Sequence, residues 1–311
     1  MNRDTALATV LVVTWSSGFV GAELGTRSAS GHAVLAWRFV VAALLLGLVV
    51  LVRRRRAPGP ALRRQAALGV LMQCLYLGGI YTGVEYGVSA GLSALIAALQ
   101  PMVVAALAAA FLGRRIGPRA VTGLLLGIVG VAVVVGGALG GAAPWWAYAL
   151  TVGGTVSLSV GTLLQSRVPD RVPVTLGLAV QSATAAVFFL AWSVVAGDAM
   201  PPADGPFWFA VGWTVLLSTF LAIGSYLVVI ARRGATAASA LLYLTPPVTM
   251  IWAWAMFDDA LGVATVIGLV LCAVAVALVL RPTGPGREAD SGAGAGTTYR
   301  SPATADTAAS S

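Results

Sequence analysis

The chain has 311 residues, 59% of them hydrophobic and 10% charged, with a mean hydropathy of +0.91. A soluble domain of this size carries roughly 25% charged residues, so a soluble fold is excluded. The formal net charge is +8, but all nineteen basic residues are Arg and most fall in alternate short loops, which argues against a nucleic-acid surface and points to membrane topology.

Ten apolar runs are long enough to cross about 30 Å of hydrocarbon: residues 6–22, 33–52, 66–87, 90–112, 118–138, 145–165, 174–196, 207–230, 235–257 and 262–280. The first follows Met1-Asn2-Arg3-Asp4 without a convincing small-x-small cleavage site, and is expected to be a retained helix. With the N-terminus in the cytoplasm, the inside loops hold Arg53–Arg56, Arg63, Arg64, Arg114, Arg115, Arg119, Arg167, Arg171, Arg232 and Arg233. The outside loops hold Arg27 beside Glu23, Glu85, Asp198, Asp204, Asp258 and Asp259. Both ends of the chain are therefore expected on the cytoplasmic side of the cell membrane. The Arg53–Arg56 run also suits anionic lipid head groups, although topology alone accounts for it.

Run one carries Thr14-Trp15-Ser16-Ser17-Gly18 at mid-membrane depth. Its hydroxyls either bond back to their own helix or line a substrate path beside Trp15. Run two places Arg38 one to two turns below its outer end. A buried guanidinium pairs or lines water, and Glu23 and Glu85, at the outer ends of runs one and three, are the expected partners. Arg38 is either a structural ion pair or a contact for an anionic cargo. Run three spaces Gly79, Gly83 and Gly87 four apart, a face that lets a second helix approach, and offers Gln73, Tyr76 and Tyr81 to a cavity. Gly123 and Gly127 repeat the device in run five.

Runs four and nine carry Pro101 and the pair Pro246-Pro247. Each proline strips a carbonyl of its helical partner, and a bare carbonyl at membrane depth must face protein or a water-filled cavity. These three prolines are the expected hinges, with Gln100, Tyr243 and Thr245 as the nearest polar side chains. Runs six to eight add Ser157, Ser159, Gln165, Gln181, Ser218, Thr219, Ser225 and Tyr226. Trp252 and Trp254 in run nine are expected in the core or against lipid. Residues 281–311 hold little that is apolar and are expected to be a disordered cytoplasmic tail.

The second half repeats the first. A shift of 145 carries Leu99 onto Leu244, Pro101 onto Pro246, Gly117 onto Gly262, Gly123 onto Gly268, Gly79 onto Gly224 and Tyr81 onto Tyr226. With the offset adjusted by two residues, Gln181 takes the place of Arg38. Five runs per copy is an odd number, so the second copy enters the bilayer from the other side. Inverted repeats place a binding site between the halves at mid-depth and open one gate as the other closes.

These features resemble the EamA type of the drug/metabolite transporter superfamily over about residues 6–280. Leu35-Ala36-Trp37-Arg38-Phe39 is similar to the family's Phe-Arg pattern. Ala90 to Pro101 with Phe111-Leu112-Gly113, and Ala237 to Pro247, resemble its fourth and ninth helices, and Gly123 and Gly268 match the glycine that follows. Two departures stand out. Arg114 and Asp259 occupy a position that is often Glu in the family, and Leu244-Thr245-Pro246 replaces a Leu-Glu-Pro-like segment. The resemblance implies an all-α membrane protein of ten helices, with five-helix units at 6–138 and 145–280. It also implies a secondary carrier of amino acids, related metabolites or small drugs, frequently outward.

On this reading the substrate path comprises Trp15, Ser16, Arg38, Tyr76, Tyr81, Gln100, Gln181, Tyr226 and Tyr243. The partners are a small-molecule substrate and the lipid bilayer; nothing fixes an oligomeric state. None of the eleven acidic residues lies at the centre of a run, so facilitated diffusion or exchange is expected, with the outer-end carboxylates as the remaining route to proton coupling. His32 is the sole histidine, Cys74 and Cys272 sit within apolar runs, and no hydrolase or metalloprotease motif is present. No enzyme, metal or cofactor is expected. The altered glutamate positions keep a non-transporting sensor or scaffold as the alternative, along with a carrier of drugs or lipid-linked solutes.

Overall fold

The computed structural model describes residues 3–112, 118–138, 143–165, 172–233, 241–258 and 262–280. Gly113, Arg114, Arg115, Gly117, Arg167, Arg171, the 235–240 part of the second copy, Asp259 and the tail lie outside the described residues.

Among the described residues every regular element is helical. The first copy gives α1 (Arg3–Thr26), α2 (Gly31–Val52) and α3 (Gly59–Gly69), then a π-helical stretch Val70–Leu75 that runs on into α4 (Tyr76–Glu85). It ends with α5 (Ala90–Ala97), α6 (Gln100–Leu112) and α7 (Pro118–Ala138). The second gives α8 (Trp145–Gln165), α9 (Val174–Ala196), and α10 (Gly205–Trp213) running through a π-helical stretch Thr214–Leu221 into α11 (Ala222–Arg233). It ends with α12 (Thr245–Phe257) and α13 (Val263–Leu280).

Local signals set the ends. Ser30 Oγ accepts from the Ala33 N–H to start α2, Ser89 Oγ from Leu92 to start α5, and Asp204 Oδ1 from Phe207 to start α10. Each side chain satisfies an orphan donor of the first turn. Gly197, at φ 82°, stops α9 in the left-handed conformation that glycine adopts without strain. Gly87 does the same after α4 at φ 97°. It therefore serves the turn rather than the close helix face expected from its spacing.

Among the described residues seven helices are long and apolar enough to cross a membrane: Thr5–Thr26, Gly31–Val52, Gly59–Glu85, Ala90–Phe111, Trp145–Gln165, Val174–Ala196 and Gly205–Tyr226. Of the other expected spans, the described apolar stretches are shorter: Val121–Gly130 in α7, α12, and Val266–Ala275 in α13.

The principal helix pairs each take one member from each copy. α2 packs on α9, α7 on α13, α1 on the α10–α11 rod, and α8 on the α3–α4 rod. Under the repeat, α2 exchanges with α9 and the α1 pairing with the α8 pairing, so the packing follows the internal symmetry. Phe39 and Phe189 stack at 6.0 Å where α2 meets α9. At the α4–α8 crossing a Cβ on Gly79 would fall on the Leu150 carbonyl, one on Gly83 on Thr151 Oγ1, and one on Gly154 would lie 2.8 Å from the Tyr76 carbonyl. Backbones can approach this closely only because three side chains are missing. Gly127, in turn, receives Met102.

At the expected proline kinks each copy interrupts its helix with a two-residue turn. The helix stops at Ala97, turns at Ala98–Leu99 and restarts at Gln100 beside Pro101. In the second copy the turn is Tyr243–Leu244, with Pro246 and Pro247 in the first turn of α12. The two turns are equivalent under the shift of 145, and so are the two π-helical stretches. Leu99 and Tyr243 share one apolar cluster with Met102 and Ala275, so the matched breaks lie side by side.

Candidate substrate pathway

Arg38 sits seven residues into α2, about 10 Å from the helix start at 1.5 Å per residue. It is 7% exposed. Its Nη1 donates to the Tyr81 hydroxyl at 3.0 Å, and its Nε has no hydrogen-bond partner. Tyr76 packs against the apolar cluster that holds Tyr81 and Phe39. These side chains come from two helices of the first copy, α2 and α4.

The expected carboxylate partners are engaged elsewhere. Glu23 Oε1 accepts from Arg27 Nη2 at 3.0 Å and its Oε2 from the Ala90 N–H at 3.3 Å. Glu85 Oε2 accepts from the Gly31 N–H at 2.8 Å. Among the described residues no carboxylate forms an ion pair with Arg38. Its partner is a phenol. Helix starts offer N–H donors and the positive end of the macrodipole, and they take the two glutamates instead.

The remaining candidates divide into separate groups. Trp15 and Tyr226 meet with ring centroids 5.4 Å apart, joining α1 to α11. Beside them Ser16 Oγ lies 2.7 Å from the Val12 carbonyl of its own helix and 3.2 Å from the Thr245 carbonyl. The hydroxyl patch of α1 thus bonds back to its helix and also reaches across the repeat. Ser17 Oγ lies 3.3 Å from Ser218 Oγ, and Trp213 Nε1 donates to the Ser17 carbonyl at 3.0 Å. Tyr226 is the repeat counterpart of Tyr81, yet its neighbour is an indole where Tyr81 has a guanidinium.

Gln100, next to Pro101, donates through Nε2 to Thr162 Oγ1 at 2.9 Å, and Ser159 Oγ donates to the Gln100 carbonyl at 3.4 Å. The backbone at the break is thereby held by α8. Gln181 donates to Gln65 Oε1 at 2.9 Å and accepts from Gln73 Nε2 at 3.4 Å. It lies eight residues from Phe189, which stacks on the neighbour of Arg38, so about 12 Å of helix separates the two polar groups. Tyr243 packs among Leu99, Leu126 and Met102, with its buried hydroxyl lacking a partner. Trp252 is partly buried and meets Trp213 at 5.2 Å, while Trp254 is exposed.

Sequence reasoning missed three features. Gln65 completes the amide cluster. Ser93 and Thr249 are fully buried with hydroxyls that lack partners, on the α5 and α12 helices that cross where Gly91 meets Met250. Asp198 ties α9 to the start of α2, accepting from Ser30 and lying 2.9 Å from His32 Nε2. Nothing in the spacing of the sequence ties Asp198 to Ser30.

A chain folded as two interlocked copies, with buried polar side chains where the copies meet, matches one family model twice. Residues 5–136 and again 145–281 match the EamA-like transporter family. The chain belongs to this family. It is a multi-pass membrane protein of the drug/metabolite transporter superfamily. No protein of curated function matches it. Fifteen chains of solved structures do. One of them, described only as the crystal structure of a protein, is 20% identical, with a TM-score of 0.60 over 90% of this chain and 97% of its own. That likeness supports the fold alone.

Proposed function

We propose that this EamA-family protein is a secondary transporter that moves small metabolites, amino acids or related solutes, outward across the cell membrane by alternating access. In this reading ten spans, five in residues 6–138 and five in 145–280, leave both ends of the chain in the cytoplasm. The observation that carries it is the matched pair of helix breaks, Ala98–Leu99 and Tyr243–Leu244, packed in one cluster at the junction of the copies. Two breaks at equivalent positions give each half a hinge, which is what a carrier needs to face either side in turn. Arg38 supplies the chemistry: a buried cation with a free donor and, among the described residues, no carboxylate paired with it suits a solute that brings its own carboxylate. Trp15, Tyr76, Tyr81 and Tyr226 favour an apolar or aromatic remainder.

The test is counterflow in proteoliposomes. Vesicles loaded with one unlabelled carboxylate-bearing solute at a time, amino acids first, are expected to take up its labelled form faster than empty vesicles. Equal uptake for every amino acid, nucleoside, sugar and cationic drug would leave a scaffold with a carrier fold.

A further inference from the structure

At one end of the first copy, four helices are tied together by carboxylates. Glu23, on α1, accepts from the N–H of Ala90, the first residue of α5. Glu85, the last residue of α4, accepts from the N–H of Gly31, the first residue of α2. Each carboxylate meets an orphan donor at the positive end of a helix dipole, which makes the bond charge-assisted. One to two turns deeper Arg38 joins α2 to α4 through Tyr81. Asp198 extends the closure to α9 through Ser30 and His32. Both glutamates line a shallow cavity of about 210 Å³ with Arg27, Val88 and Ser89, and that cavity opens on the arginine-poor face.

Inverted symmetry carries this end of the first copy to the opposite face in the second. The helices there are α8, α9 and α11; the segment equivalent to α5 lies mostly outside the described residues. The shift of 145 puts Ile230 at the position of Glu85, so that bond has no carboxylate in the second copy. Among the described residues, α2 and α1 both pack on α4, whereas the corresponding pairs α9–α11 and α8–α11 do not pack comparably.

We propose that Glu23 and Glu85 are the latch that closes the arginine-poor face. The inference rests on the two-gate reading above. Transport then requires both carboxylates to release the helix starts of α2 and α5, and weakening them shifts the carrier toward the opposite state.

The test needs no substrate. Ser93 is fully buried one turn beneath Ala90, so Ser93→Cys, with Cys74→Ser and Cys272→Ser, reports opening from the arginine-poor face to a membrane-impermeant maleimide. Adding Glu85→Ala or Glu23→Ala is expected to raise the labelling rate from that face roughly tenfold per bond lost. Glu85→Gln keeps an acceptor without the charge and falls between Glu and Ala. The same order supports the latch if the double Ala variant is too unstable to purify. Labelling that is equal across Glu, Gln and Ala, in protein that elutes as a single folded species, overturns it. Graded labelling without solute counterflow would sink the transport reading alone, and counterflow with ungraded labelling would sink the latch alone.

Discussion

Arg38 poses a problem that two substitutions separate. The guanidinium is buried, and Tyr81 is its only hydrogen-bond partner among the described residues. A hydrogen bond to a charged group contributes about 1.5–3 kcal/mol. Tyr81→Phe leaves the charge in place and removes its acceptor, so the melting temperature in detergent should fall, on the order of 5 °C. Arg38→Met removes the charge together with its need for a partner, and a buried charge replaced by an apolar side chain of similar volume often costs little. The stability order expected is therefore wild type, then Arg38→Met, then Tyr81→Phe. Counterflow should show the reverse order for the variants: Arg38→Met loses flux of carboxylate solutes by at least about tenfold, as expected for a lost ion pair, while Tyr81→Phe retains more. If Arg38→Met transports normally, the arginine is structural and the cargo reading falls. Depth and burial of Arg38 were legible from its place in an apolar run. Its partner was not, because spacing along a helix gives height in the membrane but not which helix stands opposite, nor that helix starts would capture both glutamates.

Helix contacts in this protein depend on missing side chains, and the glycines differ enough to test it. A methyl group on Gly79 would fall on the Leu150 carbonyl, which is backbone and cannot step aside, whereas one on Gly47 would meet nothing within 4 Å. Gly79→Ala must push α4 and α8 apart, at a cost of about 1–3 kcal/mol. Gly47→Ala only gains helix propensity, about 0.5–1 kcal/mol in the other direction. Opposite shifts in melting temperature are expected, read on purified protein, and a neutral Gly79→Ala would mean the crossing is looser than drawn. The close face of Gly79 and Gly83 was readable from four-residue spacing, and the helix breaks from Pro101 and Pro246. The π-helical stretches were not readable. Val70–Leu75 and Thr214–Leu221 share a repeat position but no residue pattern that marks a wider turn. Their matched positions suggest that both copies need a widened helix there, a feature of backbone geometry that composition does not encode.

At the scale of the molecule the repeat was the most legible feature, because a shift of the sequence on itself requires no knowledge of contacts. The way the copies interlock was not legible: α2 with α9 and α7 with α13 follow from the symmetry axis rather than from any one run. The span count remains the sharpest thing to measure. Seven helices meet the length and apolarity of a membrane crossing among the described residues, and the repeat demands ten. The two numbers differ in parity. Seven crossings would put the ends of the chain on opposite faces, whereas ten put them together and give the second copy its inverted orientation. Epitope tags before Met1 and after Ser311 should both resist protease in intact cells and both be cut in inside-out vesicles. A cysteine at Asp204, in a loop beyond α9, should react with an impermeant maleimide only in intact cells, and one at Arg54, between α2 and α3, only in inside-out vesicles. The arginine distribution sets the sign of that result. Tags cut from different faces would remove the inverted repeat, and with it the physical reason for two hinges around one shared pathway.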